Sequence, residues 1–356
     1  MKEQLYAAGS YTTVLPHAPG GCGKGISILA QNTDTGELRL VQTLGGIDNP
    51  SWVHWDPSRQ KLYSISESET GQGSVRAFGQ DHGGVFYEQK ECSGPGRASC
   101  HLLPLEDRDL LFTASYLDGS MTGFSLEKGL PVHKVCHFSY TGKGENQIRQ
   151  EAPHAHQITL SPEGRYLFVC DLGSDKVRVH DLKLPGMDEI SAFLTPSGYG
   201  PRHMVLDPER PVAYVLCELK AKLLCAEIRE EGKFSLIDEY DTETADDSAK
   251  AAPAAVKIHP TGSTLYVSNR FTDTITVFEI DRRGGVIRLR TKSHFSCRGK
   301  TPRDFTFSPD GDFLLIANQD SNDIQICRID CATGLPLDEW ITPFALETAV
   351  CLTPLI

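Results

Sequence analysis

Five eight-residue segments of the chain align without a gap. They are Pro-Ser-Trp-Val-His-Trp-Asp-Pro from Pro50, Ala-His-Gln-Ile-Thr-Leu-Ser-Pro from Ala155, Pro-Arg-His-Met-Val-Leu-Asp-Pro from Pro201, Pro-Ala-Ala-Val-Lys-Ile-His-Pro from Pro253 and Pro-Arg-Asp-Phe-Thr-Phe-Ser-Pro from Pro302. A degenerate sixth starts at Ser99. Each runs into a turn, most clearly at Pro162-Glu163-Gly164, Pro260-Thr261-Gly262 and Pro309-Asp310-Gly311. Proline presets the turn backbone and glycine accepts positive φ, so the pattern is chemical rather than accidental. An internal repeat of this length restricts the fold more than any other feature of the sequence.

After each turn comes a short apolar run, such as Leu167-Phe168-Val169-Cys170 or Leu265-Tyr266-Val267-Ser268. A polar loop and an alternating strand such as Thr274–Ile280 follow, then a Gly-containing turn and a fourth strand. Alternation with period two and β-branched or aromatic enrichment mark strands, and no stretch sustains a 3.6-residue apolar period. The turns fall at 57, 106, 162, 208, 260 and 309, spacings of 49, 56, 46, 52 and 49 residues. Four strands per unit of roughly 50 residues describe a propeller blade. Six blades are internal. The N-terminal strands lack a first strand of their own, and Ala349–Leu352 can supply it. The sequence therefore predicts an all-β, seven-bladed β-propeller, one domain over residues 1–356, whose closing blade is built from N- and C-terminal strands.

The register also predicts which side chains share an end of the blades. The first two strands of each blade form an antiparallel hairpin around the turn, so residues before the first strand and after the second lie at the same end. Six residues before the turn stand Ser51, Cys100, His156, Arg202, Ala254 and Arg303; ten residues after it stand Glu67, Tyr116, Leu172, Glu218, Arg270 and Gln319. One mouth is expected to gather His156, Arg202, Glu218, Arg270 and Arg303. Ion pairing of Arg202 or Arg270 with Glu218 would explain any single pair in purely structural terms. A histidine, a carboxylate and several guanidiniums together suit a small anionic ligand, because arginine forks capture carboxylate or phosphate and a histidine beside a carboxylate can serve as a general base. His154 and His156, two apart, could share a face and chelate a metal, but no third ligand is evident, and neither a metal nor a cofactor is expected.

Several other functions are disfavoured. Thirty-five Lys plus Arg against 47 Asp plus Glu leave a formal charge of -12, which repels a nucleic-acid backbone. No apolar run approaches the roughly 20 residues of a membrane helix, and the N-terminus turns polar before a signal-peptide core could form. Eleven cysteines with no C-x-x-C pair read as reduced, structural thiols. A cytoplasmic monomer or homodimer, binding neither membrane nor nucleic acid, is expected. Trp55-Asp56 is a lone WD dipeptide on the wrong side of its turn. Gly20-Gly21-Cys22-Gly23-Lys24-Gly25 hints at a phosphate loop but lacks the following Ser/Thr and leads into a strand, so a hairpin loop is the better reading. No G-x-S-x-G is present to support a serine nucleophile.

At its motif residues the sequence resembles the lactonase-type seven-bladed propellers, the family of bacterial 6-phosphogluconolactonases and fungal carboxymuconate cyclases. The resembling stretches are Leu5–Thr12, Arg149-Gln150-Glu151-Ala152-Pro153-His154-Ala155-His156, Gly200-Pro201-Arg202-His203, Cys217-Glu218-Leu219, Val267–Arg270, Thr301-Pro302-Arg303 and Ala317-Asn318-Gln319. The resemblance implies a hydrolase opening a sugar lactone, with 6-phosphogluconolactone of the pentose phosphate pathway as the expected substrate and His156, Arg202, Glu218 and Arg270 as the catalytic set. His154, Arg149, Asp171, Arg303 and Gln319 are expected to contact the small anionic lactone. The fungal branch offers a lactonizing isomerase on the same residues, and a non-catalytic binding scaffold is the third reading. The second blade departs from the pattern, with Ser99 for proline and Leu105-Glu106-Asp107-Arg108 for a clean turn.

Overall fold

The structure, a computed structural model, describes residues 2–356. It consists of seven four-stranded antiparallel sheets, with three short 3₁₀ turns and no α-helix among the described residues. Six sheets are meanders contiguous in sequence, over residues 53–93, 99–139, 155–194, 201–241, 252–296 and 302–345. The seventh takes its strands in the order Ala349–Leu355, Glu3–Ser10, Ile26–Asn32 and Leu38–Leu44. Leu5 pairs with Leu355 and Gly9 with Cys351, so the two ends of the described chain close one blade. The fold is the seven-bladed β-propeller that the repeat predicts.

The turns form as their residues require. Gly164, Gly262 and Gly311 adopt φ of +68°, +74° and +84°, and each donates its N–H to the carbonyl three residues back, on Ser161, His259 and Ser308. Only glycine takes this left-handed conformation without Cβ strain. The second blade, which lacks the glycine, still turns, with the Arg108 N–H bonded to the Leu105 carbonyl.

The chain divides into two compact units, each discontinuous in sequence. One comprises the chain up to Ser66 with Arg76–Lys90 and Lys257–Ile356; the other comprises Glu67–Val75 and Glu91–Val256. In the second unit the strand Tyr166–Asp171 sends Tyr166, Phe168 and Cys170 into one apolar cluster with Ala213, Val215 and Cys217. Its intervening Leu167 and Val169 enter another, with Phe112, Ala114 and Ile158. In the first unit Tyr6 and Ala8 pack with Leu315 and Ala317, while Ala7 packs with Ile28 and Val53. A strand buried on both faces has no reason to alternate, which is why the second strand of each blade reads as a continuous apolar run. All eleven cysteines are free thiols. Burial pushes the Cys225 and Cys351 thiols up to about 12, as expected of cysteines that act as small hydrophobes.

Candidate active site

The predicted site residues of the second unit are placed by a recurring irregularity. In the blade that starts at Ala155, Ala155 pairs with Asp171 and Gln157 with Cys170, which leaves His156 as the extra residue of a β-bulge. In the next blade Pro201 pairs with Cys217 and His203 with Leu216, leaving Arg202. Cys100 occupies the same place in the second blade. A bulge bends its strand and re-aims a side chain out of the regular alternation. The bulged strands are tied to one another: the Cys100 thiol bonds the His156 carbonyl at 3.4 Å, Gln157 Oε1 accepts the Met204 N–H, and Arg202 Nη1 donates to the Ala254 carbonyl.

Glu218 is the centre of the charged cluster. It follows the strand Val212–Cys217, is 3% exposed, and gives each carboxylate oxygen to a different guanidinium. Arg149 Nη2 lies 2.6 Å from Oε1, and Arg202 Nε lies 3.0 Å from Oε2. Arg202 is 2% exposed, so this pair is desolvated, whereas the Arg149 side chain retains 42% exposure and marks the solvent side. The charge of Glu218, more than any other group, holds the Arg149 guanidinium above its ordinary pKa. Arg149, a peripheral candidate by sequence, is thus a direct partner of the central carboxylate.

His156 is buried among aromatic rings. Tyr116 meets it edge to face at 5.9 Å and His203 at 5.2 Å, and His203 in turn meets His101 at 6.3 Å. Arg202 Nη1 approaches His203 Nε2 at 3.2 Å. A guanidinium can only donate, so His203 accepts on Nε2 and carries its proton on Nδ1. Neither Tyr116 nor His203 stands out by sequence as a site residue. The signal was present in part: Tyr116 occupies the same repeat position as Glu218, and His203 follows Arg202 directly.

Two predicted substrate contacts take supporting places instead. The His154 ring lies flat on Tyr116, 4.2 Å away and 9° from parallel, with Nδ1 donating to the Tyr116 carbonyl at 2.9 Å and Nε2 3.2 Å from Glu151. With both nitrogens engaged and the strand beginning after it, at Ala155, His154 is not the second arm of a chelating pair with His156. Among the described residues no group of three or more His, Cys, Asp or Glu is arranged to hold a metal. Asp171 is fully buried and accepts from the His154 backbone N–H at 2.8 Å, from Arg178 Nε at 2.9 Å and from the Ser174 hydroxyl. It anchors the backbone of His154 rather than facing a ligand. Gly173 belongs to the same support, because a Cβ there would run into the Ala152 carbonyl and the His154 backbone.

The remaining candidates lie in the first unit. Arg270 ends the strand Thr264–Arg270 and is buried, beside the exposed Phe271. Arg303 occupies a bulge of its own, between the Pro302–Asn318 and Asp304–Ala317 pairs. Its guanidinium covers the Tyr11 ring at 5.2 Å and donates to Gln319 Oε1 at 3.3 Å, while Gln319 Nε2 donates to the His17 carbonyl. The Gly20–Gly25 segment is not a phosphate cradle. Its Gly21 N–H is bonded to the Ala18 carbonyl, and its Gly23 N–H to the Tyr11 carbonyl and the Thr348 hydroxyl.

A propeller carrying a buried imidazole, a carboxylate between two guanidiniums and a partly exposed tyrosine has the donors that suit a small anionic ligand. Comparison with known proteins narrows this. The family model described as lactonase, 7-bladed beta-propeller, matches residues 5–354, and the chain belongs to that family. It is 31% identical over 339 residues to a 6-phosphogluconolactonase of Formosa agariphila, with 92% of each chain covered. It is 29% identical to the 6-phosphogluconolactonase of Bacillus subtilis, over 94% of this chain and 93% of the relative. The periplasmic gluconolactonase PpgL of Pseudomonas aeruginosa superposes with a TM-score of 0.91 at 24% identity, covering 100% of this chain and 99% of that one, a likeness of fold.

Proposed function

We propose that this protein hydrolyses a sugar lactone bearing an anionic group, with 6-phosphogluconolactone as the substrate and the pentose phosphate pathway as its setting. The observation that carries the reading is the Arg202–Glu218–Arg149 cluster, buried at Arg202 and Glu218, in a chain two of whose relatives over nearly its whole length are named 6-phosphogluconolactonase. His156 takes a proton from the attacking water. The water oxygen bonds the lactone carbonyl carbon, the ring C–O bond breaks, and the ring oxygen leaves as a hydroxyl once it has taken up a proton. Glu218, with both oxygens engaged by arginine, orients the guanidiniums rather than shuttling the proton. Arg202 and Arg149 offer donors to the substrate anion. By the family resemblance Arg270 belongs to the catalytic set, and Arg303 is a candidate for gripping phosphate. Eleven free thiols favour a reducing compartment, and we assign the protein to the cytoplasm. No helix among the described residues is long and apolar enough to cross a membrane.

The test is a substrate panel with product identification. Purified protein is given 6-phosphogluconolactone, glucono-δ-lactone and a carboxymuconate, with spontaneous hydrolysis subtracted. The phosphorylated lactone should be opened fastest, and His156→Ala should lower that turnover by about 10²–10⁴-fold, the range for a positioned acid–base group. Cyclisation of the muconate without lactone hydrolysis would replace this reading with the isomerase one.

A further inference from the structure

We infer that Tyr116 donates its hydroxyl hydrogen to the carbonyl oxygen of the bound lactone, the atom on which negative charge gathers as the ring opens. The inference rests on the lactonase reading and adds to it a donor that the charged cluster does not contain.

The argument begins with the hydrogen-bond inventory of the phenol. Arg149 Nη2 lies 3.3 Å from Tyr116 Oη. A guanidinium has no acceptor, so Tyr116 accepts this bond, and its own O–H is left pointing elsewhere. Among the described residues no protein group takes that hydrogen. The side chain is partly exposed, at the same edge where Arg149 retains its solvent contact. A partly buried hydroxyl that accepts from a cation and has no acceptor for its own hydrogen is a donor waiting for a ligand oxygen. The neighbouring positive charge polarises the O–H and strengthens what it donates.

The ring is also fixed before any ligand arrives. The backbone N–H of Tyr116 donates to the Ala98 carbonyl at 2.9 Å, and its carbonyl accepts from the Gly119 N–H at 3.2 Å and from His154 Nδ1. One face of the ring is covered by the parallel imidazole of His154. Its other aromatic neighbour is His156, edge to face at 5.9 Å. The base and the donor therefore share one wall, a relation suited to a water attacking a carbonyl carbon while the carbonyl oxygen is held. A donor that does not have to reorient as charge develops is worth far more than the same group in water. Burial raises the Tyr116 pKa, with Arg149 opposing, which keeps the phenol protonated at neutral pH. The same reasoning explains the stacked His154: it fixes the donor without touching the substrate.

The experiment is Tyr116→Phe in the full-length protein, assayed on whichever lactone the wild type opens. The change removes one oxygen and keeps the ring that stacks on His154 and meets His156. A fall in kcat of about 10²–10³-fold with little change in KM is expected, the effect of losing one oxyanion donor. A second variant guards against a purely structural effect: 3-fluorotyrosine at position 116 keeps the hydroxyl and makes it more acidic, and should retain wild-type kcat or exceed it. A Tyr116→Phe kcat within twofold of wild type overturns the inference, as does a loss with 3-fluorotyrosine equal to that with phenylalanine. Absence of any wild-type lactone turnover overturns the function and the donor together. Wild-type turnover matched by Tyr116→Phe overturns the donor alone.

Discussion

At the scale of single residues, the desolvated Arg202–Glu218 pair is the centre of the proposed site and carries a stability risk. Taking two charges out of water is costly, and their mutual attraction offsets part of that cost. Glu218→Ala leaves the Arg202 guanidinium, 2% exposed, without its carboxylate partner. It should destabilise the protein by about 3–5 kcal/mol in chemical denaturation, while Glu218→Gln, which keeps an acceptor, should cost less. Arg149→Ala should cost well under that, because its side chain is 42% exposed and solvent screens what it loses. Equal destabilisation by Glu218→Ala and Arg149→Ala would show that the buried pair is not the dominant one. Sequence reading located Arg202 and Glu218 because they recur in repeat register. It passed over Tyr116 and His203, which stand out by what touches them, and it gave ligand contacts to Asp171 and His154, whose polar atoms are bonded within the protein.

At the scale of elements, the bulge and the closing strand matter most. The strict alternation of a strand places residues 154, 156 and 158 on one face, and the extra residue at His156 breaks that phase. Nothing in the ungapped repeat announces the bulge, since the same eight-residue segment carries it at Cys100, His156, Arg202 and Arg303 and pairs without a shift at Val53–Asp56. The closing strand Ala349–Leu355 is legible by subtraction, because the N-terminal strands lack a partner. It is held by more than its ladder: the Leu352 N–H donates to Asp304 Oδ2 at 2.8 Å, and the Thr353 hydroxyl donates to the Val53 carbonyl at 2.8 Å. Trp55 Nε1 donates to the Ile356 carbonyl at 2.8 Å. Removing residues 349–356 uncovers the edge of Glu3–Ser10 and strands these partners. The truncated protein should aggregate and melt at a lower temperature than the full chain; an unchanged melting temperature would refute the closure.

At the scale of the whole molecule, histidines held neutral contribute to the loss of stability in acid. Burial lowers the His54 pKa from 6.5 to about 4, with Asp56 opposing, and burial also lowers those of His180 and His259. His180 is fully buried, bonded to the Tyr140 hydroxyl at 2.9 Å and to the Met187 carbonyl at 2.9 Å. For a histidine whose folded pKa is depressed, the unfolded chain binds the proton first. The stability it contributes is intact above the unfolded value and is lost as pH falls toward the folded one. For His54 that window runs from 6.5 down to about 4 and amounts to about 3 kcal/mol, at 1.36 kcal/mol per unit. Melting curves should show His54→Gln losing less stability than wild type across this window. A difference between the two proteins that does not change with pH would contradict the assignment.

The sequence by itself determined the architecture, because a blade is specified locally. A turn at a fixed place, an apolar second strand and a spacing of about 50 residues recur from blade to blade, three of the turns being Pro-x-Gly, and every level of the signal agrees on the same answer. It also determined the repeat positions from which His156, Arg202 and Glu218 come. What only the tertiary structure decided is which of these groups touch. Arg149 and Glu218 stand 69 residues apart and meet at 2.6 Å, and Tyr116 accepts from Arg149 across 33 residues. Such contacts arise from the packing of one sheet against the next and from bulges that re-aim a side chain. Neither leaves a periodic trace in the chain, because a hydrogen bond depends on distances of an ångström that residue order does not encode locally.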